Sequence, residues 1–263
     1  MQPVGESVPG WAPRSFPVAA SAAALMTQHA VSGELLVEPL CVDRHADGLF
    51  ASFTAKGMSE YAALFTYMPT DPPASREAFR RYIADRCGKL DPMFFAVCRR
   101  QMSAAAVIAP ASPPAVSMAV GMFALMRTDS AHGVTEIGHV YFSPLLQRTT
   151  LGTDVLHSVM QHVFTDLAYR RFEWKCDRLN AASMRAAARY GFVHEGTFRQ
   201  ALVVKGRNRD TAWWSIVDGE YHATVGPALR AWLSKENFDR ASGKQRQSLE
   251  ALRKASNCVV SKL

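Results

Sequence analysis

The chain has 263 residues, of which 48% are hydrophobic, and a formal net charge of +7. A chain of this size can bury a substantial core as one domain with extensions, which is favoured over two packed domains. No stretch approaches the roughly 18 uninterrupted apolar residues of a membrane-spanning helix, so the sequence predicts a soluble protein. The five cysteines are scattered and lack metal-ligand spacing, which predicts a reducing compartment and no metal site.

Both ends of the chain have a biased composition. Residues 1–30 are rich in Ala, Pro, Gly and Ser and are predicted to be a flexible extension. From Ser234 onward there are seven basic and three acidic residues, so over half of the net positive charge lies in or near a predicted basic tail, residues 239–263. A solvated tail is the simpler explanation of this charge, and attraction to an anionic partner is the alternative.

The last three residues have the form of a peroxisomal address, which a receptor reads on a free C-terminal carboxylate. The basic residues before them are predicted to leave the end accessible. The sequence therefore predicts an import receptor as a partner and a location in the peroxisome or a related microbody such as the glycosome, with the cytoplasm as the location otherwise. The address consists of Ser261, Lys262 and Leu263.

The first half of the chain predicts two strands and two helices. Weak alternation indicates a strand over residues 33–40, and a helix is predicted over residues 45–56. Ser75 is a suitable N-cap for a second helix with one apolar face. Residues 93–98 are then read as a buried strand, and the Ala- and Pro-rich residues 101–117 as a surface insertion.

The second half begins with a long antiparallel hairpin, predicted over residues 118–127 and 134–143. Apolar residues then recur at helical spacing as far as about Tyr169, and residues 172–176 form a predicted strand. Asn180 is a suitable N-cap for an Ala-rich helix, which Gly191 ends.

The last predicted elements are two strands over residues 195–204 and 211–217, joined by a turn over residues 205–210, and an amphipathic helix over residues 223–233. The order of elements predicts an α/β domain (α+β mixed) over residues 31–238, with a mixed sheet flanked by helices.

The most informative stretch runs from Ile137 to Asp154, a strand followed by a turn of small residues that opens a helix. A helix start carries unpaired N–H donors and the positive end of the dipole, so it can hold a pyrophosphate without a lysine. Thr149, Thr150 and Gly152 allow close approach, and Arg148 adds positive charge. The helix that begins at Asn180, one strand later, places a second helix start at the same cleft.

These segments resemble two motifs of the GNAT acetyltransferases. Gln147, Thr150 and Gly152 match the pyrophosphate motif Q/R-x-x-G-x-G/A, with threonine where the first glycine is usual. The run from Asn180 to Phe192 is similar to the N-x-x-S-x-R-x-x-x-x-x-G-F sequence of the family. The resemblance extends over about residues 61–238 and is greatest to RimJ/RimL-like enzymes, which acetylate protein amino groups.

The resemblance implies a GNAT fold with a mixed, mostly antiparallel sheet, and acetyl-CoA bound in a V between two splayed central strands. It assigns the pantetheine arm and the region near the sulfur to Asn180 and Ser183. Main-chain pairing with the pantetheine is implied for Val140, Phe142 and Ser143. The implied pyrophosphate site consists of Gln147, Arg148, Thr149, Thr150, Leu151, Gly152 and Thr153.

The implied reaction is direct attack of a neutral amine on the thioester, for which a carboxylate or imidazole removes a proton. Glu136, His139 and Glu173 are the candidates for this base. Strand alternation places Glu136 on the face of Val140 and Phe142 and His139 on the other, which favours Glu136. The alternative is a strand carboxylate paired with a neighbouring base.

The proton donor to the leaving thiolate is a second question. Many GNAT enzymes use a tyrosine seven residues after the helix-opening asparagine, but Ala187 occupies that position. Ser183 is the proposed donor, with a hydrogen bond inside its own helix as the alternative. Cys176 lacks an activating base at a recognisable spacing and is read as a buried strand cysteine.

The predicted function is acetyl-CoA-dependent N-acetylation of a primary amine, such as a protein N-terminus. A small amine such as a polyamine or amino acid is an alternative acceptor: an acidic pocket would favour a polyamine, and an open groove a peptide. A non-catalytic CoA-binding module is the other alternative. Basic residues are not interleaved with aromatic residues on one element, which argues against a nucleic-acid binder.

Overall fold

The computed structural model describes residue 8, residues 11–100 and residues 117–260. Nine α-helices lie in this part of the chain: α1 Ala19–Gln28, α2 Val42–Phe53, α3 Met58–Ala63, α4 Arg76–Ala84, α5 Thr150–Gln161, α6 Ala181–Tyr190, α7 Asp218–Glu220, α8 Gly226–Leu233 and α9 Leu249–Val260. The strands are β1 Leu35–Pro39, β2 Met93–Arg100, β3 Ser117–Asp129, β4 Val134–Phe142, β5 Arg171–Asp177, β6 Val193–Val204 and β7 Arg207–Val217.

The seven strands form one sheet in the order β1-β2-β3-β4-β5-β7-β6. All neighbours are antiparallel except β4 and β5, which are parallel. This arrangement confirms the predicted mixed, mostly antiparallel sheet flanked by helices.

Each face of the sheet has its own apolar core. On the first face, α1, α5 and α8 cover a core that extends from β1 to β7, with Phe95, Phe123 and Phe172 fully buried. On the second face, α2 and α4 cover β1 to β3 and the end of β4, through a cluster that includes Phe79 and Tyr141. The second face of β5 and β7 carries charged side chains instead, which leaves polar chemistry beside the centre of the sheet.

The expectation that residues 1–30 form a flexible extension is wrong from Ala19 onward. Helix α1 buries Ala22, Ala23 and Met26 in the first-face core. The buried carboxylate of Asp154 accepts hydrogen bonds of 2.9 Å from the backbone N–H groups of residues 31 and 32, which ties the end of this segment to α5. Alanine contributes little hydrophobic signal, and the segment lacks a capping side chain, so its packing was not visible in the sequence.

The predicted solvated tail is also partly folded. Leu249 is buried at the start of α9, and the Arg253 guanidinium donates a 3.0 Å hydrogen bond to the Ala188 carbonyl oxygen at the end of α6. Residues 261–263 and residues 101–116 lie outside the described residues, so the terminal address and the insertion stay predictions. Among the described helices none is both long and apolar enough to span a bilayer.

Two element boundaries differ substantially from the predicted ones. The turn expected over residues 205–210 is shorter, because β7 begins at Arg207 and pairs with β6 from that point. Helix α5 ends at Gln161 and continues as a π-helical turn over His162–Asp166. The short helix α3 was not predicted. The other predicted strands and helices are confirmed, including the Ser75 cap, whose hydroxyl accepts from the Ala78 N–H at 3.1 Å.

Candidate functional site

The parallel strands β4 and β5 separate part-way along their length. Their pairing covers four positions and ends where Ile137 pairs with Trp174. Beyond that point β4 continues to Phe142 and β5 to Asp177, without pairing to each other. The two strand ends therefore form the arms of an open V, as the resemblance implied.

A bulge in β4 lies beside this V. Gly138 pairs with Ala124 and Tyr141 pairs with Met122, so two residues of β4 stand opposite Phe123 alone. His139, one of these two, has φ of +48°, a conformation that non-glycine residues seldom adopt. The extra residue reverses the alternation of side chains along the strand.

The bulge corrects the predicted placement of the candidate bases. Ile137, Val140 and Phe142 contact the first-face core, although 137 and 140 have opposite parity. Glu136 precedes Ile137 in the regular part of the strand, so its side chain lies on the opposite, second face. The His139 ring also lies on this face, 5.2 Å from the Phe94 ring. Glu136 and His139 therefore share the face opposite to Val140 and Phe142.

The turn before α5 is closely packed around Gly152. A Cβ on Gly152 would lie 2.8 Å from the Leu146 carbonyl oxygen, so the turn requires glycine at this position. The Thr149 hydroxyl donates to the same carbonyl at 2.7 Å and accepts from the Gly152 N–H at 3.1 Å. Thr150 and Leu151 occupy the first two positions of α5, where N–H groups have no acceptor within the helix. These donors lie where the sequence predicts the pyrophosphate site.

Three predicted cofactor contacts have structural partners in the protein. The Ser143 N–H donates to the Val120 carbonyl, and its own carbonyl accepts from the N–H groups of Leu146 and Gln147. This occupancy argues against main-chain pairing of Ser143 with pantetheine. The Gln147 amide donates to the Phe142 carbonyl at 2.7 Å. The buried Thr153 hydroxyl accepts from Arg189 at 3.2 Å, so its side chain joins α5 to α6.

The start of α6 forms the other side of the cleft. The Asn180 side-chain oxygen caps the helix by accepting from the Ser183 N–H at 3.0 Å, which leaves its amide nitrogen as a donor. The Ser183 hydroxyl accepts from the Trp174 indole Nε1 at 2.9 Å. The Ser183 hydroxyl is therefore bonded to Trp174, the last residue of β5 that pairs with β4, and not to a group in its own helix turn.

Ala187 and Cys176 lie behind Ser183. Both are buried, and no phenol group takes the place of the usual tyrosine at position 187. Burial raises the pKa of the Cys176 thiol, although a hydrogen bond with Ser183 opposes the shift. A neutral buried thiol agrees with the reading of Cys176 as a strand cysteine and not a nucleophile.

A charged network covers the second face of the sheet at the closed end of the V. The buried Lys175 ammonium lies 2.9 Å from Glu136 and 2.7 Å from Glu173. Glu136 also accepts from Arg127 at 2.6 Å, and Glu173 from Arg171 at 2.7 Å. Burial pushes the pKa of Glu173 upward, but the hydrogen bonds from Lys175 and Arg171 outweigh it and leave the pKa below its usual value.

His139 stands apart from this network. Its Nδ1 is buried and has no hydrogen-bond partner among the residues that the structure describes. Burial lowers the pKa of His139 to about 4, and the positive charges of Arg86 and Arg127 add to the shift. The imidazole is therefore neutral at physiological pH.

The loop after α3 spans the open end of the second face. The Lys205 ammonium, at the tip of the β6–β7 hairpin, donates to the Phe65 carbonyl at 2.7 Å. The Tyr67 hydroxyl donates to the Leu179 carbonyl at 2.9 Å, between β5 and α6. These two contacts join the loop to the β6–β7 hairpin and to the β5–α6 connection.

Comparisons with known proteins agree with this geometry. Residues 34–193 match the model of the acetyltransferase (GNAT) domain. A GCN5-related N-acetyltransferase from Brucella melitensis has 38% identity and a TM-score of 0.79, with 94% of this chain and 100% of that chain covered. The chain belongs to the GNAT acetyltransferase family. A probable acetyltransferase of this family from Chromobacterium violaceum has 34% identity and a TM-score of 0.67, with 85% and 98% covered.

Ribosomal-protein acetyltransferases are among the GNAT enzymes with a similar fold. The enzyme from Salmonella typhimurium that modifies the N-terminal serine of a 50S ribosomal subunit protein has a TM-score of 0.54 and 18% identity, with 71% of this chain and 96% of that chain covered. This likeness extends to the fold alone. No curated protein matches the chain.

One side-chain cluster outside the GNAT cleft has metal-ligand residue types. Ligand atoms of Glu38, His45 and Cys98 lie within 4.8 Å of one another. The His45 Nδ1 accepts a hydrogen bond from the Cys41 N–H, so its Nε2 carries the proton and donates to Glu38 at 2.9 Å. This tautomer has no free nitrogen lone pair for a metal ion, and the cluster is explained as a hydrogen-bonded structural group.

Sequence reasoning missed several groups that form the cleft. Trp174 holds Ser183, and Lys175 holds Glu136, but neither was considered. A signal was present, because Arg171, Glu173 and Lys175 alternate along β5 and must share one face of the strand. The β4 bulge also had a signal that was not used, because Gly138 is an isolated glycine within a strand and such a glycine often marks a bulge.

Proposed function

We propose that the chain is an acetyl-CoA-dependent N-acetyltransferase that moves an acetyl group to a primary amine, such as a protein N-terminus or a similar amine. The observation that carries this proposal is the V between β4 and β5, with the starts of α5 and α6 at its two sides. An extended thioester fits such an opening because the arms offer main-chain groups that do not pair with each other.

The residues of the cleft fit acetyl-CoA, which supplies the activated acetyl thioester when bound. The Thr150 and Leu151 N–H groups and the Arg148 side chain would hold the pyrophosphate, and Gly152 gives the turn its shape. Val140 and Phe142 would pair with the pantetheine by main chain, and Asn180 would donate to it from its amide nitrogen. Ser143, the side chains of Gln147 and Thr153 and the Phe142 carbonyl are left out of this set because protein groups already bond them, so Phe142 would pair through its N–H.

Removal of a proton from the attacking amine is assigned to the second face. Glu136 is ion-paired to both Arg127 and Lys175, and a proton on its carboxylate would break these pairs. His139 lies on the bulge and has a buried Nδ1 that is unpartnered among the described residues, so the amine proton has a free acceptor there. We therefore favour His139 over Glu136 as the group that accepts the proton. Glu136 instead stabilises this face of the sheet through its two ion pairs.

Protonation of the departing sulfur is assigned to Ser183. Its hydroxyl accepts a hydrogen bond from Trp174 and donates towards the Cys176 thiol, so its proton would turn from Cys176 to the departing sulfur. The bond to Trp174 also fixes the hydroxyl oxygen, which lowers the entropic cost of reaching a productive geometry.

Calorimetric titration with acetyl-CoA tests the proposal. We expect the wild type to bind, and Gly152→Ala to lose binding, because a Cβ at this position would displace the Leu146 carbonyl and deform the turn. Gly219→Ala is the matched control, since nothing lies within 4 Å of a Cβ there. An absence of binding by the folded wild type would overturn the proposed function.

A further inference from the structure

Three neighbouring residues on one face of β7 have buried polar atoms without a hydrogen-bond partner. These atoms are the Trp213 Nε1, the Thr211 Oγ1 and the Arg209 Nε, and the statement refers to partners within the described part of the chain. Positions 209, 211 and 213 alternate along the strand, so the three side chains share a face. It is the second face of the sheet, because Lys175 lies 3.8 Å from the Trp213 ring. We call these three residues the β7 strip.

The same strand is fully paired one step further on. The Ser215 hydroxyl donates to Glu195 at 2.6 Å, and Glu195 is ion-paired with Arg171. The polar side chains near the closed end of the V therefore have hydrogen-bond partners. The β7 strip begins where β4 and β5 no longer pair. Buried polar groups in proteins are nearly always hydrogen-bonded. Three adjacent unpartnered groups therefore indicate that a bound molecule supplies the missing hydrogen-bond partners.

The charge of the β7 strip specifies what that group is. None of the ion pairs among the described residues includes Arg209, which is only partly exposed, whereas Glu136, Glu173 and Glu195 are each paired with a base. A polyamine requires several free carboxylates, and here Glu136, Glu173 and Glu195 are neutralised. Asp177, which lies opposite Thr211 on β5, accepts a hydrogen bond from the Leu179 N–H. A partly buried guanidinium without a counter-charge is stabilised by an anion with several lone pairs.

We propose that the β7 strip binds a carboxylate carried by the amine acceptor. Trp213 pairs with Lys175 on β5, the residue that follows the last β4–β5 pair, so the strip lies beside the mouth of the V. A carboxylate held there keeps the amine of the same molecule near the V. The carboxylate belongs either to a free amino acid or to an acidic side chain of a peptide, and this inference rests on the proposed function.

The test uses matched acceptors that differ in one charge. Binding is measured by calorimetry with the protein saturated with CoA, so that no transfer occurs. One pair is the peptide amides Ser-Asp-Ala-Phe and Ser-Asn-Ala-Phe, and the other is phenylalanine and its amide. We expect the carboxylate member of one pair to bind at least about tenfold more tightly, as a charge-assisted hydrogen bond allows. The pair that discriminates identifies the source of the carboxylate.

Variants locate the effect on the strip. Arg209→Gln is expected to abolish the preference while the neutral member binds unchanged, and Thr211→Val to reduce it. Arg207→Gln, on the same strand but at the exposed hairpin tip, is the matched control and is expected to keep the preference. Equal binding of both members by the wild type, no binding of any acceptor, or an equal loss for both members in Arg209→Gln would overturn the inference. Failure to bind CoA would instead overturn the proposed function.

Discussion

The Trp174 indole Nε1 lies 2.9 Å from the Ser183 hydroxyl oxygen and joins the end of the β4–β5 pairing to the first turn of α6. The bond connects the strand that opens the V with the helix that faces the leaving sulfur in the proposed reaction. Because the indole N–H is only a donor, the serine oxygen must accept, and the direction of its proton is constrained.

Ser183→Ala is expected to lower kcat by about 10²-fold, since proton donation to a leaving group contributes on the order of 10²–10⁴. Trp174→Phe is expected to lower kcat by roughly tenfold, because the hydroxyl remains but is no longer oriented. Steady-state kinetics at saturating acetyl-CoA measure both. Ser256→Ala, which removes a hydroxyl that bonds within its own helix α9, serves as the control. Unchanged kcat in Ser183→Ala would remove this serine from the mechanism.

His139→Gln is expected to lower kcat by about 10²-fold with the KM for acetyl-CoA unchanged, because the variant lacks a group that can take the amine proton. Glu136→Gln is expected to change kcat by less than about tenfold and to reduce stability, since Lys175 and Arg127 lose a partner. The two variants are compared for kcat and for urea midpoint. The opposite order of kcat effects would return the base to Glu136.

Met26→Ala is expected to lower the free energy of unfolding by about 2–5 kcal/mol, because this side chain is fully buried between α1 and the first-face core. Met58→Ala, at an exposed position of α3, is the matched control and is expected to change it by less than about 0.5 kcal/mol. Urea unfolding measures both. Equal midpoints for the two variants would mean that α1 does not pack in solution.

Stability is expected to fall as the pH decreases from about 6.5 to about 4. Burial lowers the pKa of His157 from 6.5 to about 4, as it does for His139, so the unfolded chain binds protons in this window that the folded protein does not. His157→Gln should therefore reduce the steepness of the decline in unfolding free energy by up to one proton. Urea midpoints at several pH values measure this slope. His132→Gln, in an exposed turn, is the control, and equal slopes in both variants would contradict the assignment.

Local signals predicted most of the fold. Ser75, Asn180 and Gly191 mark helix ends by capping chemistry that acts within a few residues, and the structure has each cap where it was expected. The strands of the central hairpin have long apolar runs that specify them without tertiary context. The turn before α5 and the start of α6 were predicted for the same reason, since a helix start is a local feature.

The remaining features depend on contacts between distant residues. Helix α1 is held by its packing on the first-face core, and the chain just after it is held by Asp154, more than a hundred positions later. The faces of Glu136 and His139 were predicted wrongly because one extra residue in β4 reverses the alternation, and that residue is set by the pairing with β3. Periodicity describes a strand by itself, whereas a bulge is a property of two strands.

The separation of β4 and β5 also divides the sheet mechanically. Four residue pairs, from Val134–Arg171 to Ile137–Trp174, join the β1–β4 half to the β5–β7 half within the described sheet. A molecule bound between the arms would bond to both halves of the sheet and join them where β4 and β5 do not pair. Acetyl-CoA bound in the cleft would therefore also stabilise the folded sheet. The melting temperature of the whole protein should then rise with the concentration of acetyl-CoA.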